Sequence, residues 1–176
     1  MDTKKTAYKF AARGHVGVIL TDTVYGLAAV ARDAVAVKKL YDLKSRERKP
    51  GTIIAASIDQ LVELGLKRRY LKSVEQFWPS SISVIIPTSN PELDYLDMGV
   101  GSLAVRVVKD QNLLELLNLS GPLLTSSANL PSMPPSTNIS EAKEYFGNKV
   151  DFYIDGGDSS GRLPSTIIRI VDDTIE

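Results

Sequence analysis

Val16-Gly17-Val18-Ile19-Leu20 runs without a break into Thr21-Asp22-Thr23-Val24-Tyr25-Gly26-Leu27, and this junction sets the reading of the chain. The five apolar residues read as a short buried strand, and a polar segment leaves its end. If that segment stays extended, Thr21, Thr23 and Tyr25 share one face, because side chains alternate along a strand. The face carries two hydroxyls and a phenol, and Gly26 allows another backbone or a ligand to come close. The same residues also suit an ordinary strand, since Thr and Tyr have high β-propensity.

Outward from this strand the chain alternates helices and strands. Asp2 is placed to cap a helix running to Arg13, with Gly14 as its stop. Asp33 caps a second helix, in which Val35, Val37, Leu40, Tyr41 and Lys44 approximate helical spacing. Residues 52–56 read as a strand and 57–64 as a helix stopped by Gly65. A further helix carries Tyr70, Leu71, Val74 and Phe77, and Pro79 ends it. Strands are expected over 82–86, 103–108, 123–126, 150–154 and 165–171. Helices are expected over 110–117 and from a Ser140 cap to Gly147. Seven strands and six helices in mixed order predict an α+β fold, a mixed sheet flanked by helices. With 176 residues and no linker or repeat, one domain spanning 1–176 is expected.

Composition narrows the chemistry. There is no cysteine, which excludes disulfides, thiolate metal sites and cysteine nucleophiles. The one histidine, His15, rules out a multi-histidine metal centre and follows Gly14 in a helix-to-strand turn. Formal net charge is zero, which argues against a surface that grips nucleic acid all over but leaves room for a local basic pocket. No apolar run approaches the roughly 18 residues that span a bilayer. The first residues do not read as a signal peptide, so a cytoplasmic protein is expected.

Three more polar segments sit at strand ends or in loops, where sites are built. Lys44-Ser45-Arg46-Glu47-Arg48-Lys49-Pro50-Gly51 packs four cations into six residues at a helix exit. Alone, this is a solvated basic loop that the helix dipole favours; a triphosphate site needs the same cluster. In Ser102-Leu103-Ala104-Val105-Arg106-Val107-Val108, Arg106 lies inside an apolar run. It requires either a carboxylate partner in the chain or an anionic ligand in a wet cavity. Leu124-Thr125-Ser126-Ser127-Ala128-Asn129 puts Thr125, Ser127 and Asn129 on one face, which makes an anion nest or a turn that bonds its own backbone. Pro164-Ser165-Thr166-Ile167 repeats the pattern of hydroxyls entering a strand. Gly99-Val100-Gly101-Ser102-Leu103-Ala104 matches a loose GxGxxA but leads into a strand, so the dinucleotide mechanism fails. No P-loop sequence occurs.

Taken in order, these segments resemble the YrdC/Sua5 family. The match includes TDTVYGL at Thr21 to Leu27, the K-x-R pair at Lys44 and Arg46, and Trp78-Pro79. It continues with SLAVR at Ser102 to Arg106, SAN at Ser127 to Asn129, and PSTI at Pro164 to Ile167. The family's W-P-G-P-[LV]-T stands here as Trp78-Pro79-Ser80-Ser81-Ile82-Ser83, and the Lys44–Pro50 stretch is one residue shorter than usual. The resemblance implies a twisted mixed sheet of the YrdC/RibB-like type with a large concave cavity. It implies a threonylcarbamoyl-AMP synthase, a nucleotidyltransferase that joins L-threonine, bicarbonate and ATP and releases pyrophosphate. The adenylate serves N6-threonylcarbamoyladenosine formation at position 37 of tRNA, so RNA and a downstream threonylcarbamoyl transferase complex are implied partners.

By the same resemblance, Lys44, Arg46 and Lys49 hold the phosphates, and Ser127 and Asn129 contact the nucleotide. Arg106 pairs with the threonine carboxylate beside Ser102. Thr23 and Tyr25 hold threonine and the reacting carbamate, and Thr125 and Ser165 lie at the threonine end. Magnesium bridges phosphate oxygens, with no protein carboxylate singled out as its ligand. No acid–base residue is implied; the electrostatic work falls first on Lys44 and Arg46. The rival readings are an RNA-binding module of this type, a YciO-like paralogue of different activity, and a carbamoyl-transfer domain like that of hydrogenase maturation proteins. The last belongs to longer, cysteine-bearing chains.

Overall fold

The apolar run does form a strand, β1 (Val16–Leu20), but the polar segment after it does not continue the strand. Thr21 turns the chain: its backbone N–H and its hydroxyl both donate to the Val24 carbonyl, at 3.1 and 2.7 Å. The chain then returns as β2 (Tyr25–Val30), antiparallel to β1 with Leu20 opposite Tyr25. This hairpin partner was not expected, because the hydroxyl-bonded turn carries no Gly or Pro to mark it.

A computed structural model describes residues 1–45, 48–171 and 174–175, with side chains to Arg169. Among the described residues a nine-stranded mixed sheet forms. The later strands are β3 (Thr52–Ala55), β4 (Ile82–Pro87), β5 (Ser102–Val107), β6 (Leu123–Ser127), β7 (Phe152–Tyr153), β8 (Thr166–Val171) and β9 (Thr174–Ile175). Their order is β7-β1-β2-β6-β3-β5-β4-β8-β9. The β7–β1, β3–β5 and β4–β8 pairs are parallel and the others antiparallel.

Helices cover both faces. On one side α2 (Ala34–Lys44), α3 (Ile58–Leu64), α4 (Arg68–Ser73), α5 (Asp94–Asp97) and α7 (Ile139–Phe146) enclose the larger core, which includes Val18, Leu27, Leu40, Ile53, Leu71 and Phe146. On the other, α1 (Thr3–Phe10) and α6 (Gln111–Ser120) lay Phe10, Leu113, Leu116 and Leu117 onto Ile19, Ala28, Ile54 and Leu123. Burial of such side chains at about 1.5–3 kcal/mol each supplies the main folding drive.

The helix ends explain most departures from expectation. Asp2 caps α1 through Lys5 N–H, but the helix stops at Phe10 and residues 11–14 turn, with Gly14 at φ 79°. Asp33 caps α2 through Val35 and Ala36 N–H, and its other oxygen takes the Gly14 N–H. The helix expected to end at Pro79 breaks at Val74 (φ −122°, ψ 6°) into α4 and a 3₁₀ turn, Glu75–Phe77. The cap of α7 is Asn138, not Ser140. Asn138 Oδ1 accepts from Glu141 N–H at 3.0 Å, while the Glu141 carboxylate takes Thr137 N–H at 2.7 Å.

Candidate functional site

The sheet face under α1 and α6 is apolar only along part of each strand. Because side chains alternate, Ile54 and Thr52 share that face, as do Leu123, Thr125 and Ser127, and Val108, Arg106, Ala104 and Ser102. The apolar member lies in or beside the α1–α6 core, and the polar or small members continue beyond it. Register lines them up across strands. One row reads Ala28–Thr125–Thr52–Ala104–Ile85–Arg169; its neighbour reads Leu123–Ile54–Arg106 and ends at Ser83–Ile167. Small side chains in the middle of the first row leave a hollow of about 370 Å³. That size suits a small-molecule site.

Six of the expected residues line this hollow: Thr23, Ser102, Arg106, Thr125, Ser127 and Ser165. They come from the β1–β2 turn, β5, β6 and the loop before β8, four segments far apart in sequence. Arg46 lies outside the described residues. Tyr25 does not line the hollow, a correction forced by the turn at Thr21. Being on β2 rather than on a continued β1, Tyr25 faces the larger core with Leu27 and is fully buried. Its phenol donates to the Gly157 carbonyl at 2.7 Å and accepts from Gly156 N–H at 2.9 Å. Burial pushes that phenol above its ordinary pKa, against the pull of the Gly156 N–H.

Lys44, Lys49 and Asn129 also lie off the lining. Lys44 is 5% exposed and its ammonium is turned onto the Ser127–Asn129 turn. It donates to the Ser127 carbonyl at 2.9 Å, the Asn129 carbonyl at 2.6 Å and Asn129 Oδ1 at 2.8 Å. Ser127 Oγ donates to the same Oδ1 at 2.7 Å. Lysine and asparagine therefore brace the strand end that carries Ser127.

Arg106 both lines the hollow and meets a carboxylate of the chain. Nη2 donates to Asp22 Oδ1 at 2.8 Å, and the two side chains are 3% and 8% exposed. Nη1 donates to Ser83 Oγ at 2.9 Å, and Ser83 Oγ donates to Ser165 Oγ at 3.1 Å. Burial lowers the Arg106 pKa and the Asp22 charge opposes that shift. Asp22 Oδ2 and Arg106 Nε remain buried without a protein partner. Thr21 and Thr23 hydroxyls bond each other at 3.0 Å in the wall beside this pair.

Sequence reasoning gave no individual site role to four residues. Asp22 and Ser83 hold Arg106. Arg48 and Arg169 line the hollow. For Ser83 the signal was present, as the last position of the Trp78–Ser83 motif. For Arg169 it was the alternation Ser165, Ile167, Arg169. Arg48 sits at φ 52°, a turn conformation that no neighbouring glycine announces. Among the described residues three arginines and no carboxylate line the hollow, although the chain as a whole has zero net charge. Such a cavity attracts anions.

Known proteins share this fold. The Sua5/YciO/YrdC family model, described as "Telomere recombination", matches residues 9–176. A Pyrococcus abyssi protein named threonylcarbamoyl-AMP synthase is 31% identical over 172 residues, covering 96% of this chain and 51% of its own length. A Vibrio parahaemolyticus threonylcarbamoyl-AMP synthase is 31% identical over 173 residues, covering 95% of this chain and 94% of its own. This chain thus spans about half of the archaeal relative and nearly all of the Vibrio one. The crystal structure of P. abyssi Sua5 complexed with L-threonine matches with TM-score 0.83 and 29% identity, over 98% of this chain and 52% of that one. A family model that runs from residue 9 to residue 176, on a fold shared with a solved member over 98% of this chain, establishes that the chain belongs to the Sua5/YciO/YrdC family.

Proposed function

We propose that the protein is a threonylcarbamoyl-AMP synthase, an L-threonylcarbamoyladenylate-forming nucleotidyltransferase. Threonine and bicarbonate give a carbamate and water. A carbamate oxygen then attacks the α-phosphorus of ATP, the bond to the bridging oxygen breaks, and pyrophosphate leaves. The observation that carries this reading is the hollow itself: among the described residues hydroxyls and three arginines line it, and no carboxylate does. Two anions meet in the reaction, so positioned positive charge and donors matter more than a strong base. The names of the Pyrococcus and Vibrio relatives, and the L-threonine in the P. abyssi complex, support it.

In this proposal Arg106, with Ser102, Thr23, Thr125 and Ser165, takes the amino acid. Ser127 and Asn129 contact the nucleotide, and Lys44 fixes the turn that carries them. Arg46 and Lys49 serve the phosphates from the sequence that follows α2. Tyr25 acts from behind the wall, holding the Gly156–Gly157 loop. Among the described residues no group of three or more His, Cys, Asp or Glu comes together as a metal cage. Magnesium, in this proposal, is held chiefly by ATP phosphate oxygens. The product feeds tRNA modification at position 37 through a transferase complex, in the cytoplasm. No helix among the described residues is long and apolar enough to cross a membrane.

The test is pyrophosphate release by the purified protein. Release is expected only when ATP, threonine and bicarbonate are all present. ATP turnover indifferent to threonine would refute the assignment.

A further inference from the structure

The three arginines of the hollow are not equivalent. Arg48 and Arg169 make no ion pair or side-chain hydrogen bond among the described residues, and both are exposed. Arg106 is buried and tied to Asp22 through a single N–O contact of 2.8 Å. It stands in the row with Ile54 and Leu123, at the end of the hollow that abuts the α1–α6 core. Water screens a buried pair of this kind weakly, so the carboxylate offsets most of the arginine's field. One end of the hollow is therefore close to neutral, and the unpaired positive charge sits elsewhere on its lining.

We propose that Asp22 makes the Arg106 end of the hollow select a zwitterion over an anion, by cancelling the charge of Arg106 while fixing its guanidinium. The inference rests on the amino-acid reading above and adds a specificity determinant to it. A polyanion such as pyrophosphate meets a neutral pair there and is held instead by Arg48 and Arg169. An α-amino acid gains guanidinium hydrogen bonds through its carboxylate, while its ammonium offsets the repulsion from Asp22. Asp22 Oδ2 and Arg106 Nε have hydrogen-bonding capacity left over at that junction. Discrimination of this type works by penalising the wrong ligand as much as by rewarding the right one. Asp22 acts through Arg106 and is a positioning residue.

Calorimetric binding tests this without turnover. The probes are L-threonine, the 2-hydroxy acid of the same skeleton, which is an anion, and inorganic pyrophosphate. Wild-type protein is expected to bind threonine at least about tenfold more tightly than the hydroxy acid. Saturating pyrophosphate should leave threonine affinity within about twofold. In Asp22→Asn the gap between the two ligands should close and pyrophosphate should compete with threonine. Asp22→Glu, which keeps the charge, should keep the discrimination. If Asp22→Asn does not fold, the wild-type comparison decides alone. Equal wild-type affinity for threonine and hydroxy acid, or an Asn variant that still discriminates, overturns the role of Asp22 and leaves the amino-acid reading standing. Wild-type protein that binds no threonine overturns both.

Discussion

Replacing Lys44 by Met keeps the aliphatic stem and deletes an ammonium that donates to three acceptors among the described residues. The structure lets the loss be apportioned. Asn129 Oδ1 keeps the Ser127 hydroxyl as donor, and the Ser127 carbonyl keeps the Asn129 N–H at 3.0 Å. These two bonds cost an ordinary increment each, about 0.5–1.5 kcal/mol. The Asn129 carbonyl has the lysine as its donor at 2.6 Å, and stranding a part-buried acceptor costs about 1–3 kcal/mol. Relief from burying a charge offsets part of this, which leaves roughly 2–5 kcal/mol. For a chain of this length that lowers Tm by roughly 4–20 °C. Calorimetry or circular dichroism on ligand-free protein measures it. A Met variant that melts within about 2 °C of wild type refutes the bracing role assigned to Lys44. Weakened ATP binding at unchanged stability would mean that the ammonium serves the phosphates directly.

Two further outcomes follow from other contacts. A Cβ at Gly51 would stand 2.5 Å from the Thr125 carbonyl of the neighbouring strand, so Gly51→Ala should cost about 1–3 kcal/mol, read as a lowered urea midpoint; an unchanged midpoint would mean that the floor yields there. Burial alone would raise the Asp151 pKa, but the Lys39 ammonium at 2.6 Å and Val16 N–H at 2.7 Å outweigh it, and the pKa is lowered. With the folded value below the unfolded one of about 3.9, the stabilisation is complete above that value and is lost as pH falls through the folded pKa. Asp151→Asn should lower stability at neutral pH and flatten its decline into acid; superimposable acid limbs in urea titrations would contradict this.

Much of the architecture was legible because it is local. Asp2, Asp33, Ser57 and Asp110 each cap the helix that their position announces, and Gly65 closes α3 at φ 118°. β2 was not legible, because Thr21 makes with its hydroxyl the turn that glycine or proline usually signals. That single miss moved Tyr25 to the wrong face. The shared face of Thr125 and Ser127, and the place of Arg106 inside an apolar run, were legible from period-two alternation, which survives folding unchanged, while Ser102 came from the resemblance alone. Partners across strands were not. Nothing in the sequence near Arg106 points to Asp22, 84 residues earlier, and nothing near Lys44 points to the Asn129 carbonyl. Such pairs exist only through register, which long-range pairing sets.

The floor row takes its residues from β2, β6, β3, β5, β4 and β8, that is, from residue 28 to residue 169. A nascent chain cannot complete this surface until residue 169 has left the ribosome. Neighbours such as β2 and β6 wait for each other across the length of most of the molecule. High sequence separation of this kind slows folding and leaves strand edges unpaired for longer. Synthesis of this protein therefore carries a window in which chaperones can act, and the hollow exists only after that window has closed.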